Sequence, residues 1–183
     1  TRLAAVLLGG ALVAAAVGER ALEGAMVGAA VDAPTFDVDP FWPQPLPNHW
    51  ILGSVIGVGV DARDHVFIVH RQQTLNARTE VGAAATPPLG ECCVAAPPVL
   101  EFAPDGKLVN AWGGPGEGYT WPESNHGISI DGKDNVWIGG NGQGDSHILK
   151  FTHDGKLLAE IGIPGRGANS NSMDSFGRVA KIS

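Results

Sequence analysis

The chain has 183 residues and a formal net charge of −7 at pH 7, a length that suits one domain. Charged residues make up 17% of it, below the roughly 25% of an average globular domain, and glycine and proline stay under the roughly 25–30% typical of low-complexity disorder. A nucleic-acid surface needs a basic stripe, so this acidic balance predicts no nucleic-acid partner.

The first 33 residues have the pattern of an export signal. Residues 3–17 are almost all Ala, Val, Leu and Gly, and Arg2 precedes them. A basic flank before an apolar run of about 15 residues is typical of a signal peptide, and the run is shorter than the roughly 20 residues that span a membrane. We therefore expect residues 1–33 to direct the protein to a secreted or periplasmic location, with no membrane span left after their removal. An uncleaved anchor is the alternative.

The rest of the chain repeats itself. Residues 57–68 (GVGVDARDHVFI) align with 127–138 (GISIDGKDNVWI), and 99–108 (VLEFAPDGKL) align with 148–157 (ILKFTHDGKL). Short β-branched and aromatic runs in each copy alternate with turn residues, which is typical of strands. Each copy therefore predicts four antiparallel strands, the make-up of one propeller blade.

Two Asp-Gly pairs mark the tightest predicted turns. Asp105-Gly106 and Asp154-Gly155 each stand between apolar runs, and Asp-Gly in that setting predicts a hairpin with a type I′ turn. Polar turn residues also occupy 61–64 and 131–134. These four turns separate the strands of the two copies.

The fold that we predict is all-β, a β-propeller of four-stranded antiparallel blades with about two full blades and part of a third. The partial propeller covers 34–183: a leading segment with a lone strand at 34–56, a blade at 57–113 with an insertion at 72–98, a blade at 127–162 and the start of another at 177–183. Blades take about 40–50 residues each, so this length does not hold six. We expect a fragment of a longer chain, or a half-propeller that self-associates, because open sheet edges expose unpaired backbone groups.

The repeats resemble a known family. The blocks at 127–138 and 148–157 resemble NHL repeats of six-bladed β-propellers. The stretch FWPQPLPNHW at 41–50 resembles the start of exported bacterial propellers whose enzyme relative is peptidyl-α-hydroxyglycine α-amidating lyase. The resemblance covers residues 36–183 and implies NHL-type blades. It bears on the fold more than on an activity, because one fold hosts many functions.

The resemblance also implies two site residues. Arg71, in a His-Arg pair at a strand end, matches an arginine beside the lyase active site, where its planar donor fork would hold negative charge or a carboxylate. His126, before an apolar-Ser-Ile-Asp strand, matches a zinc ligand. A catalytic zinc needs about three protein ligands, and the sequence matches one. The alternatives are an ion-paired arginine and a histidine bonded to backbone or water.

Two functions therefore remain open. The first is an exported propeller whose channel mouth binds a peptide, small molecule or partner protein. The second is a zinc-dependent lyase-like enzyme that releases glyoxylate from a hydroxylated C-terminal glycine.

Other candidate residues are expected to be structural. Cys92-Cys93, adjacent in the insertion, are expected to pair with cysteines outside this sequence or to form a vicinal disulfide rather than to catalyse, and a free thiol pair is the alternative. The glycine-rich stretch 139–145 lacks the Lys and Ser/Thr of a phosphate loop and predicts a wide turn. Structural roles are also expected for the four remaining histidines: His49, His65, His147 and His153.

Overall fold

A computed structural model describes residues 33–87, 93–167 and 171–182. Apart from its last residue, the predicted export segment lies outside the described residues. The chain divides into two units, Thr1–Asp39 and Pro40–Ser183. Every element named below belongs to the second unit.

The described part of the second unit contains ten strands and almost no helix. The strands are β1 (Trp50–Ile51), β2 (Ser54–Val60), β3 (Val66–Arg71), β4 (Val94–Ala95), β5 (Val99–Phe102), β6 (Leu108–Trp112), β7 (Asn125–Ile130), β8 (Val136–Gly140), β9 (His147–Phe151) and β10 (Leu157–Gly162). A 3₁₀ turn (Gln72–Thr74) and helix α1 (Val81–Ala84) lie in the insertion. The predicted all-β class is confirmed. No helix of the described residues is long and apolar enough to cross a lipid bilayer.

The strands form two four-stranded sheets. The first sheet has the order β2-β3-β5-β6 and the second has the order β7-β8-β9-β10. All neighbouring strands in both sheets are antiparallel. The two predicted four-stranded units are therefore confirmed, and their architecture is compatible with propeller blades.

The two sheets pack face to face. Successive strand residues point to opposite faces of a sheet. Phe67, Val69 and Val99 therefore lie on one face of the first sheet, where they are buried against the second sheet. From the second sheet, Ile138 and Phe151 are among the residues that complete this core. Burial of such side chains contributes about 1.5–3 kcal/mol each, which makes this core the main attachment between the sheets.

The leading segment differs from its prediction. Instead of one lone strand within 34–56, β1 pairs in parallel with β4 of the insertion, and β2 begins at Ser54 as the first strand of the first sheet. The physical reason is burial of the bulky apolar residues before β2. Trp50 and other apolar side chains of the leading segment pack on Leu100 and Phe102, on the face of the first sheet that turns away from the second.

The four hairpin turns share one geometry. Each turn has two backbone hydrogen bonds. The N–H of its first residue donates to the carbonyl of the fifth residue, and the N–H of its fourth residue donates to the carbonyl of the first. The first residues are Asp61, Ala103, Asp131 and Thr152. The fourth residues have positive φ: Asp64 61°, Gly106 81°, Asp134 61° and Gly155 84°. A type I′ turn needs positive φ at both central residues. The type I′ prediction is therefore wrong, because only the glycine of each Asp-Gly pair has that conformation.

Residues 177–182, expected to start a further blade, contain no strand in the described part of the chain. They nevertheless cover the second sheet closely. A Cβ at Gly127 would lie 3.0 Å from the Ala180 carbonyl oxygen, just as a Cβ at Gly57 of the first sheet would lie 2.8 Å from the His126 carbonyl oxygen. The segment thus lies on β7 in the way that β7 lies on β2.

Candidate functional site

Two polar groups flank the β3 strand at opposite ends. The Arg63 cluster lies at its beginning and consists of Asp61, Arg63, His65, Glu101, Asp134 and His153. The Arg71 site lies at its end and consists of Arg71, Ser124, Asn125, His126, Asn141 and Asp145. Because a strand rises about 3.3 Å per residue, the six residues of β3 keep the two groups far apart.

Arg71 is held by two neutral oxygens. Its Nε donates to the Asn125 carbonyl at 3.1 Å, and its Nη2 donates to Oδ1 of Asn141 at 2.8 Å. The side chain is half-buried. Among the described residues it forms no ion pair. Within the part of the chain that the structure describes, its positive charge therefore has no carboxylate in direct contact.

Both of these acceptors are themselves fixed. Asn125 is buried, and its Nδ2 donates to the His70 carbonyl at 2.9 Å. Asn141 donates its backbone N–H to the Ser124 carbonyl and accepts a second bond at Oδ1, from Ser124 Oγ at 2.9 Å. Three chain segments, the end of β3, the start of β7 and the loop after β8, thus hold the guanidinium in place.

Asp145 ties these segments together. Asp145 is only 1% exposed. Its carboxylate accepts hydrogen bonds from the backbone N–H groups of Glu123 at 2.7 Å, Ser124 at 3.0 Å and Gly142 at 2.6 Å. Gly140 has no room for a side chain because a Cβ there would clash with Asp145 Oδ2. Residues 139–140 end strand β8 instead of belonging to the predicted wide turn, and residues 141–145 form the turn itself, which a buried carboxylate organises.

His126 follows Asn125 and lies at the same end of the sheets. Its Nδ1 is 2.7 Å from the Ala180 carbonyl, so this nitrogen donates, and Nε2 is the ring nitrogen left to face a ligand. The imidazole lines a cavity of about 370 Å³ with apolar residues that include Ile56 and Ile182. Among the described residues, no group of three potential ligands includes His126. The described residues thus offer zinc a single ring nitrogen here.

His70, the neighbour of Arg71, has a structural role. It is fully buried; Nδ1 accepts the N–H of Gly53 at 3.1 Å and Nε2 donates to the Pro97 carbonyl at 3.0 Å. Burial lowers the pKa of His70 below its usual value, although the bonds to Pro97 and Ala96 act in the opposite direction. A neutral imidazole therefore joins the leading segment to the insertion.

The Arg63 cluster is built on a buried aspartate. Asp61 Oδ2 accepts from Arg63 Nε at 3.1 Å and Nη2 at 2.8 Å, and Oδ1 accepts the backbone N–H groups of Arg63 and His65. Burial alone would raise the pKa of Asp61, but these hydrogen bonds outweigh it and hold the pKa below its usual value. The hydrogen bond to Asp61 correspondingly raises the pKa of Arg63.

Glu101 joins the cluster to the second sheet. It is 2% exposed; Oε1 lies 2.6 Å from His65 Nδ1 and Oε2 lies 2.9 Å from His153 Nε2. Arg63 Nη2 also lies 3.1 Å from His153 Nδ1 and 3.7 Å from Asp134 Oδ2. His153 and Asp134 belong to turns of the second sheet, so the cluster links the two sheets at this end.

Buried acidic and histidine side chains of this cluster lie within metal-binding distance of one another. The two groups are Asp61, His65 and Glu101, and Asp61, Asp134 and His153, each with ligand atoms mutually within 4.8 Å. Carboxylates and imidazoles are usual zinc ligands. However, both groups share Asp61, whose two oxygens already accept four N–H bonds, and Arg63 Nη2 contacts every member of the second group. The cluster therefore suits the guanidinium better than an added cation.

Sequence reasoning missed this cluster. The sequence predicts structural roles for His65 and His153 but not their shared partner. In the structure, each imidazole contacts the buried carboxylate of Glu101. The available signal was the repeat itself: Glu101 aligns with Lys150, so two opposite charges occupy one position of the repeat in otherwise apolar strands. His147 is buried and donates from Nε2 to the Thr120 carbonyl. Cys93 is disulfide-bonded, and Cys92 lies outside the described residues.

No protein-family model matches the chain, and no curated protein matches it. The resemblance to NHL-repeat propellers thus depends on the repeats and turns in the sequence and stays a prediction. The roles of Arg71 and His126 stay predictions as well.

Proposed function

We propose that this protein binds a carboxylate-bearing ligand, such as a peptide C-terminus or a small organic acid, at the Arg71 site. The observation that carries the proposal is the half-buried guanidinium of Arg71, whose partners among the described residues are two neutral oxygens. A charge removed from water is unfavourable unless it is paired. A planar guanidinium matches a carboxylate through parallel hydrogen bonds.

The remaining donor capacity of Arg71 supports the proposal. Nε and Nη2 each have an acceptor, whereas Nη1 makes no hydrogen bond within the described part of the chain. The fixed acceptors orient the guanidinium before a ligand arrives, which lowers the entropy lost on binding. A ligand with a carboxylate fits this remaining donor, because a carboxylate oxygen accepts from a guanidinium N–H.

A matched pair of peptides tests the proposal. The probe is a fluorescently labelled triglycine with a free C-terminal carboxylate, compared with its C-terminal amide by titration calorimetry. Arg71→Gln should weaken binding of the acid at least about tenfold, the size of one lost charge-assisted pair. Arg78→Gln, which removes an exposed arginine of the insertion, is the control and should leave affinity unchanged. Equal binding of acid and amide by the unaltered protein would overturn the proposal.

A zinc-dependent lyase is the second candidate. It is supported by the placement of His126 directly after Asn125, the residue whose carbonyl holds Arg71. Zinc bound at this end would activate a substrate hydroxyl. His126 Nε2 would serve as one ligand, and Arg71 would orient the substrate carboxylate.

Metal content tests this second candidate. The lyase candidate predicts one zinc per chain in the unaltered protein, its loss in His126→Ala, and release of glyoxylate from a hydroxyglycine peptide. A metal-free protein that still binds the triglycine acid would leave the binding function and remove the lyase.

We also propose that the two sheets are adjacent blades of an exported NHL-type propeller. The sequence repeat and the parallel between the β2–β7 packing and the packing of residues 177–182 on β7 support this arrangement. Fractionation of expressing cells tests export, with recovery in the cytoplasm as the contrary result.

A further inference from the structure

We infer that Asn141 determines the ligand preference of the Arg71 site, because it fixes the guanidinium without neutralising it. The inference rests on the proposed binding function and assigns to Asn141 a role that the sequence pattern does not indicate. An aspartate of the same shape at this position would pair with Arg71 and compete with an anionic ligand. The neutral amide keeps the positive charge available.

The orientation of the Asn141 amide follows from its partners. Arginine has no acceptor atom, so the atom 2.8 Å from Arg71 Nη2 must be the amide oxygen. Ser124 Oγ lies 2.9 Å from the same oxygen and donates to it. The amide oxygen thus has two donors and one orientation, and the contact with Arg71 carries no formal negative charge.

The backbone around Asn141 is fixed by separate contacts. The N–H of Asn141 donates to the Ser124 carbonyl at 2.9 Å, and the N–H of the next residue, Gly142, donates to Asp145 Oδ2 at 2.6 Å. Asp145 also binds the N–H of Ser124. A substitution that keeps the shape of Asn141 should therefore keep the loop in place and change only its charge.

The other end of β3 shows what a carboxylate does to an arginine in this molecule. Asp61 Oδ2 accepts both Nε and Nη2 of Arg63 at 3.1 and 2.8 Å, and two further carboxylates lie within 4.0 Å. Charge-assisted pairs of this kind are about twice as strong as neutral hydrogen bonds. An aspartate at position 141 would impose the same kind of pairing on Arg71.

The test is Asn141→Asp, with Gln143→Glu as its matched control. Gln143 is exposed in the same loop, and its variant adds the same charge away from Arg71. Affinities for the labelled triglycine acid and its amide are measured by calorimetry, and melting temperature is measured for each variant. Asn141→Asp should weaken binding of the acid at least about tenfold and bring it close to the affinity of the amide, with a melting temperature equal to or above that of the unaltered protein. Gln143→Glu should keep the preference for the acid.

The outcomes separate this inference from the proposed function. If the unaltered protein prefers the acid, Arg71→Gln removes the preference and Asn141→Asp keeps it, then the role of Asn141 is wrong while the binding function stands. If Gln143→Glu reduces binding as much as Asn141→Asp, general charge repulsion explains the loss and the inference fails. If the unaltered protein shows no preference for the acid, both proposals fail together.

Discussion

Arg63 and Arg71 stand at the two ends of one strand and have opposite surroundings. Arg63 has one carboxylate at 2.8 Å and two more within 4.0 Å. Arg71 has a backbone carbonyl and an amide oxygen. Exposure does not explain the difference, since the Arg63 side chain is 52% exposed and still paired. The two residues differ in the charge of their partners, which places Arg63 in the attachment between sheets and is the basis for the ligand role proposed for Arg71.

The largest expected effect belongs to Asp145, which organises the Arg71 end. Asp145→Ala leaves three part-buried backbone N–H groups without the buried carboxylate that accepts them. A hydrogen bond to a charged group contributes about 1.5–3 kcal/mol, and water replaces part of this where it reaches the N–H groups, so the free energy of unfolding should fall by about 3 kcal/mol. Urea denaturation measures this loss. Asp145→Asn keeps one acceptor oxygen and should lose less; equal losses in both variants would contradict the role given to the hydrogen bonds.

Glu101→Gln tests the other end of the comparison. The variant keeps the shape but removes the buried charge and one of the two acceptors that face His65 and His153. The free energy of unfolding should decrease by about 1–2 kcal/mol, the cost of a buried group that loses its partner. Binding of the triglycine acid should stay unchanged. A binding loss as large as that of Arg71→Gln would show that the two ends are coupled and would end the comparison.

The pH dependence of stability tests the role of His70, which lies beside Arg71 at the end of β3. Its pKa is lowered in the folded protein by burial, whereas in the unfolded chain it titrates near pH 6.5. The unfolded state therefore binds the proton first as pH falls, so the stabilising contribution of His70 is complete above about pH 6.5 and is lost below it, by at most about 1.4 kcal/mol per pH unit. Unfolding measured from pH 7.5 to 5 should show this slope, reduced in His70→Gln. The same slope in both proteins would contradict the neutral clamp.

Much of the fold follows from local sequence signals. The repeated blocks and the four turns predicted two four-stranded antiparallel units, because alternation and turn residues act over short distances. The β1–β4 pair was not predictable in this way. Trp50 pairs with Val94, and strands β2 and β3 lie between these two residues in the sequence. The single positive φ in each turn was missed because the Asp-Gly signal does not distinguish one turn geometry from another.

The candidate site was predictable only in part. Arg71 and His126 were named through a family resemblance, but the residues that hold Arg71 were not. Asn141 lies 70 residues from Arg71 in the sequence, and packing of β7 against β3 brings their segments together. Glu101 reaches His65 across 36 residues because β5 pairs with β3 in the first sheet, and it reaches His153 because the second sheet packs on the first. Contacts between the sheets arise from sheet stacking, which periodicity does not encode.

The most direct test of the central claim compares Arg71→Gln with Arg63→Gln in one set of titrations. The account predicts that the unaltered protein prefers the triglycine acid to its amide, that Arg71→Gln removes this preference with little change in melting temperature, and that Arg63→Gln keeps the preference while lowering the melting temperature slightly. If Arg63→Gln removes the preference as completely as Arg71→Gln does, then the charge of the groups bonded to each arginine does not decide which arginine binds the ligand, and the account is contradicted.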